Sequence, residues 1–162
     1  MSFQTKEELD KWFESPDPWN YEVNKDDKYR KDKIYHAIAP FAPYKRALDI
    51  GAAEGFITRG LPAKVIEAIE ISDKAANRMP HNIKRVRKPN GMYDLIIATG
   101  VLYPHYNWEL MREWIEKHAS GVVLVSHYYK IGKAHDEFDK TLLLEETFKY
   151  RDGEQTMKVY KW

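Results

Sequence analysis

The sequence predicts an α/β fold with a mostly parallel sheet and a C-terminal antiparallel hairpin. Short runs rich in Ile, Leu and Val recur between helical or turn-like pieces, without the strict alternation of a half-exposed strand. Such runs are typical of parallel strands that are covered on both faces. Two β-rich runs near the C-terminus flank Asp152-Gly153, which is a hairpin signal. We expect one domain over 1–162, with an N-terminal helical cap segment (1–44) and a sheet core (45–162).

Three helices are predicted from apolar spacing and capping residues. Thr5 with Glu8 forms a capping-box pattern at the start of a short first helix. A longer second helix is predicted over 26–41, where apolar residues recur at helical spacing. The clearest helix covers 107–119, with Asn107 as its N-cap.

Five strands are predicted for the parallel part of the sheet; four lie between the second and third helices and the fifth follows the third helix. The predicted ranges are 46–50, 64–71, 82–86, 92–100 and 120–129. The connection between the first two strands is unusually short, because Pro62 leaves only 56–63 for a crossover helix.

Composition excludes several classes of function. The chain has 26 Lys and Arg against 25 Asp and Glu, so no global charge attracts nucleic acid or a membrane surface. It has no cysteine, hence no disulfide and no thiolate metal site, and no metal site is expected. No apolar run approaches the roughly 20 residues of a membrane span. We expect a cytoplasmic protein whose partner is a small molecule; nucleic acid is disfavoured, and the oligomeric state stays open.

A glycine-containing turn follows the first predicted strand, where ligands bind in open α/β sheets. Asp49 precedes Gly51, two alanines and Gly55. Gly51 and the alanines leave room for backbone amides to approach a ligand closely. A carboxylate at Asp49 would repel a pyrophosphate and suits an ammonium group, which indicates an amino-acid-bearing nucleoside.

A second acid marks the end of the next strand. Glu70 lies 21 positions past Asp49, close to the roughly 20 expected for an acid that binds a ribose. Its carboxylate can accept hydrogen bonds from two neighbouring hydroxyls, and Ile71 beside it offers an apolar face for a base. Together the turn and the acid predict a nucleoside site.

The motifs "ALDIGAAEG", "VIEAIEIS" and "YDLIIATGVLYPHY" resemble those of class I S-adenosylmethionine-dependent methyltransferases. The upstream pieces "DPWNY" and "KYRKDK" are similar to the group related to nodulation protein S, in which a Trp and a Tyr-containing helix close over the cofactor. The resemblance implies a three-layer Rossmann-like methyltransferase fold, S-adenosylmethionine as cofactor and S-adenosylhomocysteine as product. The cofactor-binding residues that it implies here are Trp19, Tyr29, Asp49, Gly51, Ala52, Ala53, Gly55, Phe56, Glu70, Ile71, Thr99, Gly100 and Val101.

Two positions depart from the family pattern. Ala53 stands where the middle glycine of the turn is usual, and we expect it to require a less unusual backbone there. After the third strand the chain has Arg87, Lys88 and Pro89 in place of the acid or amide that often contacts adenine. The residue that contacts the adenine amino group is therefore unassigned.

The acceptor side is expected after the fourth and fifth strands. His105 and His127 are candidate catalytic residues, because a neutral imidazole can take a proton from an acceptor near pH 7; ordinary surface histidines are the alternative. The candidate substrate-binding residues are Tyr103, Tyr106 and Tyr128. Arg30 and Lys33 are expected to be solvated.

These features predict a methyltransferase that acts on an oxygen or nitrogen of a small molecule. The fourth strand ends in Ala98, Thr99 and Gly100, which disfavours the exocyclic-amine DNA methyltransferases. Three alternatives stay open: a non-catalytic S-adenosylmethionine-binding module, an enzyme that cleaves S-adenosylmethionine itself, and a dinucleotide-linked reductase.

Overall fold

The computed structural model describes residues 3–162. Its four helices are α1 (Lys6–Trp12), α2 (Lys25–Ile38), α3 (Asp73–Ala76) and α4 (Trp108–His118). Its seven strands are β1 (Tyr44–Ile50), β2 (Ala63–Ile69), β3 (Ile83–Arg85), β4 (Tyr93–Thr99), β5 (Ala119–Tyr128), β6 (Thr141–Tyr150) and β7 (Gly153–Lys161). Short 3₁₀ turns cover Ala39–Phe41, Thr58–Gly60 and Tyr129–Ile131.

All seven strands form one sheet in the order β3-β2-β1-β4-β5-β7-β6. The first five strands in this order are parallel, and β7 lies antiparallel between β5 and β6. The order reverses between β1 and β4, so the carboxyl ends of these strands flank a crevice. The predicted α/β fold with a terminal antiparallel hairpin is confirmed.

Two apolar layers cover the sheet. On one face, Ile34 and Ile38 of α2 pack over the strands, and on the other face Ile115 of α4 does so. Neighbouring residues of β4 divide between the layers, since Ile97 belongs to the α2 side and Ile96 to the α4 side. Burial of both faces explains why the strands read as continuous apolar runs.

The local signals for helix ends agree with the structure. The Thr5–Glu8 capping box is formed, and the Asn107 side chain accepts from the Leu110 amide at the start of α4. The second helix begins at Lys25, with Asn24 as its N-cap, and passes into a 3₁₀ turn at Pro40. The connection between β1 and β2 contains only the 3₁₀ turn Thr58–Gly60, as Pro62 predicts. No helix within residues 3–162 is long and apolar enough to cross a membrane.

Candidate active site

A cavity of about 660 Å³ opens at the carboxyl edge of the sheet, beside the strand reversal. Its volume lies within the range of small-molecule and cofactor sites. The walls come from the turn after β1, the ends of β2, β4 and β5, the α4 side and the N-terminal segment. Predicted residues that line it are Trp19, Gly51, Ala53, Glu70, Ile71, Thr99, Gly100, Val101, Tyr103, His105, Tyr106 and Tyr128.

The turn after β1 depends on left-handed backbone. Gly51 has a φ of +78°, and a Cβ there would lie 2.4 Å from Val101 Cγ1, so both backbone and space require glycine. Ala53 has a φ of +51°. The expectation of a less unusual backbone at Ala53 is therefore wrong: the alanine adopts the conformation that the usual glycine would adopt, at a cost of about 1 kcal/mol.

The Glu70 carboxylate is fixed by two backbone amides. Oε2 accepts from the Ala53 N–H and Oε1 from the Ser72 N–H, each at 2.8 Å. Arg85 donates to the Glu70 carbonyl, which holds the end of β2 in place. The side chain is buried at the cavity wall, and burial raises its pKa. Each carboxylate oxygen keeps a further lone pair for a ligand donor.

Asp49 lies behind the turn and is absent from the cavity wall. Its Oδ2 accepts from Thr58 Oγ1 at 2.6 Å, and the residue is 2% exposed. Burial raises the pKa of this carboxyl to about 7. Direct contact between Asp49 and a ligand ammonium, as the sequence suggested, does not fit this position.

Polar contacts hold α1 and the segment after it over the cavity. Ser72 Oγ donates to Asp10 Oδ1 at 2.6 Å, and Lys6 pairs with Asp10 and Asp73. Arg78 donates to the Phe13 carbonyl at 2.8 Å. The N-terminal segment thus rests on the same β2–α3 region that carries Glu70.

A buried charge network forms another wall. Asp27, fully buried, accepts from Tyr150 at 2.6 Å and from Arg151 at 2.7 Å, and its Oδ1 lies 3.5 Å from an Arg30 nitrogen. Arg30 is 5% exposed, lines the cavity and has a buried Nε without a hydrogen-bond partner. The prediction that Arg30 is solvated is wrong, because α2 turns Asp27 and Arg30 inward along with Ile34.

Aromatic side chains surround the candidate base. The His105 ring lies 4.1 Å from the Tyr106 ring and 5.6 Å from the Tyr103 ring, centroid to centroid. Burial lowers the pKa of His105, which favours the neutral imidazole, and raises the pKa values of Tyr103 and Tyr106 to about 12. At neutral pH this wall therefore offers a proton acceptor beside two protonated phenols.

Solved structures with this fold are found across almost the whole chain. The N-methyltransferase NodS from Bradyrhizobium japonicum WM9, in complex with S-adenosyl-L-homocysteine, matches with a TM-score of 0.79 and 16% identity over 98% of each chain. Magnesium protoporphyrin IX methyltransferase from Synechocystis PCC 6803, with bound S-adenosylmethionine, matches with a TM-score of 0.74 and 17% identity over 96% of each chain.

The chain has the class I methyltransferase fold. Coclaurine N-methyltransferase, bound to N-methylheliamine and S-adenosylhomocysteine, shares this fold with a TM-score of 0.63 and 11% identity, over 83% of this chain and 72% of that one. No family model and no curated protein matches the sequence. The likeness to NodS agrees with the resemblance of the upstream motifs.

Two predicted residues lie away from the cavity of this methyltransferase fold. Side chains alternate along β5, so Tyr128 faces the cavity while His127 bonds to Asp136 in a second cavity of about 520 Å³. Tyr29 is half-exposed on α2 and packs edge-on against Phe148. These positions do not fit the predicted catalytic role of His127 or the predicted role of Tyr29 in covering the cofactor.

Three further turn residues support the cavity from behind without lining it. Ala52 and Phe56 are buried in the core on the α2 side, and the Phe56 ring stacks on Tyr21 at 5.6 Å. Gly55 has a φ of +86° and donates its N–H to the Ala52 carbonyl. Their predicted direct contact with a cofactor does not fit these positions.

Sequence reasoning missed several residues that line the cavity. Tyr21 and Arg30 enter from the N-terminal segment, and Gln155 and Arg151 from the hairpin. Helical spacing back from Ile34 would have turned Arg30 inward. Within residues 3–162 there is no group of three or more His, Asp or Glu side chains that could hold a metal ion.

Replacement of Asp49 by Asn should remove a pH dependence of stability. Between about pH 4 and about pH 7 the folded protein keeps the Asp49 proton that the unfolded chain releases. The free energy of unfolding of the wild type, relative to Asp49→Asn, should therefore fall as pH rises through this window, by up to roughly 1.4 kcal/mol per pH unit. Urea denaturation from pH 3.5 to 8 measures it. Asp139→Asn, at an exposed site, is the control, and a difference that is flat in pH would contradict the assignment.

Replacement of Ala53 by Gly should stabilise the protein by up to about 0.5 kcal/mol. Glycine relieves the left-handed strain at this position, and the greater freedom of the unfolded chain offsets only part of the gain. Ala52→Gly, at the neighbouring buried position without positive φ, should destabilise. Thermal denaturation of both variants is the measurement, and equal losses at the two positions would refute the strain at Ala53.

Proposed function

We propose that the protein is an S-adenosylmethionine-dependent methyltransferase that acts on an oxygen or nitrogen of a small molecule. The observation that carries the proposal is the Glu70 carboxylate, buried at the end of β2 and fixed by the Ala53 and Ser72 amides at the wall of a cavity of about 660 Å³. The same cavity extends to the neutral imidazole of His105. The proposed nucleoside site and a candidate base therefore lie in one cavity.

The polar groups of the cavity fit this cofactor. The free lone pairs of Glu70 suit the two ribose hydroxyls. The unpartnered Nε of Arg30 suits the methionine carboxylate, because a buried guanidinium donor without a partner costs free energy until an acceptor reaches it. Ile71 offers an apolar surface for the adenine ring.

For methyl transfer the protein mainly has to align the acceptor atom with the methyl group and exclude water. When bound, S-adenosylmethionine supplies a methyl group for in-line displacement. Its sulfonium sulfur is a good leaving group, because it departs as a neutral thioether. Tyr103 and Tyr106 contribute wall area that excludes water and orients the acceptor. His105 takes the proton of an acceptor hydroxyl or ammonium group.

A second candidate is a module that binds the cofactor without transferring its methyl group. The short connection between β1 and β2, with only the 3₁₀ turn Thr58–Gly60, favours it, because a helix is usual at this place in doubly wound folds.

Replacement of Glu70 by Ala should weaken binding of S-adenosylhomocysteine at least about tenfold in isothermal titration calorimetry. Hydrogen bonds to a charged group contribute roughly 1.5–3 kcal/mol, and the variant removes the group that would accept them. Glu116→Ala removes an exposed carboxylate of α4 that does not line the cavity, and its affinity should equal that of the wild type. Unchanged affinity of Glu70→Ala for S-adenosylhomocysteine would contradict the role of Glu70 in binding the ribose.

Replacement of His105 by Gln should lower the turnover number by roughly 10²–10⁴ while the affinity for S-adenosylhomocysteine stays the same. The rate is that of S-adenosylhomocysteine formation from labelled cofactor with a metabolite extract. A wild-type protein that binds the cofactor and forms no methylated product would support the binding module. Unaltered turnover of the variant would remove His105 from the mechanism.

A further inference from the structure

Two cavity residues have buried side-chain atoms without a hydrogen-bond partner among the described residues. These atoms are Arg30 Nε and Gln155 Oε1, and the third such atom in the described part of the chain, Trp162 Nε1, lies away from the cavity. Unpartnered buried polar atoms are rare and require an explanation, and in a residue that lines a cavity a bound ligand can supply the partner. The cofactor carboxylate accounts for Arg30 under the proposed function, whereas Gln155 is still without a partner.

Gln155 is held beside Tyr128, a residue that the sequence predicts to bind the substrate. It lies on β7 directly opposite Tyr128 of β5, and it is 2% exposed. Its Nε2 donates to Ser126 Oγ at 3.3 Å, which leaves the carbonyl oxygen free. A carbonyl oxygen accepts and cannot donate, so the group that satisfies it must carry an N–H or O–H.

The walls beside Gln155 are mainly aromatic. The rings of Tyr128 and Tyr150 lie 5.3 Å apart, edge to face, and both line the cavity with Tyr103. The Tyr128 hydroxyl is occupied by Asp152, so this residue presents its ring and not a free donor. Such a space suits a flat ring.

The charge of the cavity lining is unfavourable for a cation. Arginines contribute three positive side chains, Arg30, Arg87 and Arg151, whereas Glu70 is the carboxylate among the described lining residues. Asp27, behind the wall, contacts both Arg30 and Arg151 and offsets one of them. The sulfonium of bound S-adenosylmethionine would add positive charge next to the acceptor, whereas the S-adenosylhomocysteine complex has no sulfonium and tests the effect of the side chains alone.

We propose that Gln155 binds the methyl acceptor, and that the acceptor is a flat, ring-containing molecule that is neutral or anionic and donates an N–H or O–H to the Gln155 carbonyl. This proposal rests on the proposed function, because it takes the acceptor site to be beside the cofactor. It narrows the acceptor from any oxygen or nitrogen compound to a class that excludes cationic amines.

A matched set of phenols tests the charge preference. 4-Hydroxyphenylacetate, 4-hydroxyphenylacetamide and tyramine share the phenol and differ in charge, and 4-methoxyphenylacetate lacks the hydroxyl donor. Their affinities for the protein saturated with S-adenosylhomocysteine are measured by NMR titration. The acetate and the acetamide should bind at least tenfold more tightly than tyramine, and the methoxy compound at least fivefold more weakly than its hydroxyl parent.

Two variants assign the discrimination to Gln155. Gln155→Leu should lose the preference for hydroxyl over methoxy, because it removes the accepting oxygen. Gln155→Glu keeps an accepting oxygen, so it should still bind the hydroxyl compound more tightly than the methoxy compound. Its added negative charge should reduce the difference in affinity between 4-hydroxyphenylacetate and tyramine. Affinity for S-adenosylhomocysteine within twofold of the wild type shows that both variants are folded.

Each outcome decides the proposal. Tyramine binding as tightly as the acetate, full discrimination by Gln155→Leu, or no binding of any of the phenols at millimolar concentration would overturn it. A wild-type protein that does not bind S-adenosylhomocysteine would instead overturn the proposed function itself, so the two failures are distinguishable.

Discussion

The contact on which the site depends is the double hydrogen bond from the Ala53 and Ser72 amides to the Glu70 carboxylate. It joins the turn after β1 to the end of β2, so the two elements of the proposed nucleoside site are built as one unit. Burial of this carboxylate is costly, and the two amides offset that cost while they leave lone pairs toward the cavity. The residue that donates one of these amides, Ala53, also has left-handed backbone.

A second constraint closes the other side of the cavity. Asp27 connects α2 to the hairpin through Tyr150 and Arg151, and Arg151 also donates to the Trp19 carbonyl at 2.7 Å. The N-terminal cap, the helix and the last two strands are thereby tied around one buried carboxylate. Removal of one partner would leave an uncompensated buried charge and would therefore destabilise the folded protein.

The fold could be predicted almost entirely from the sequence, because apolar runs, capping residues and Pro62 act locally. The position of Glu70 at the cavity wall could be predicted, since this acid follows its strand at a recognisable spacing. The side chains that reach the cavity from distant segments of the chain were harder to predict from the sequence. Strand alternation with Met157 and Val159 would have turned Gln155 inward, but the cavity that it meets is formed only when the N-terminal segment folds over the sheet.

In the proposed function, the turn after β1 and the end of β2 bind the nucleoside part of S-adenosylmethionine. The most direct measurement is an NMR titration of ¹⁵N-labelled protein with S-adenosylhomocysteine. Binding at this site should produce saturable shifts that are largest at the amides of Gly51, Ala53 and Ser72, with smaller shifts along β6. Shifts confined to other parts of the chain, or the same shifts with NADH and none with S-adenosylhomocysteine, would contradict it.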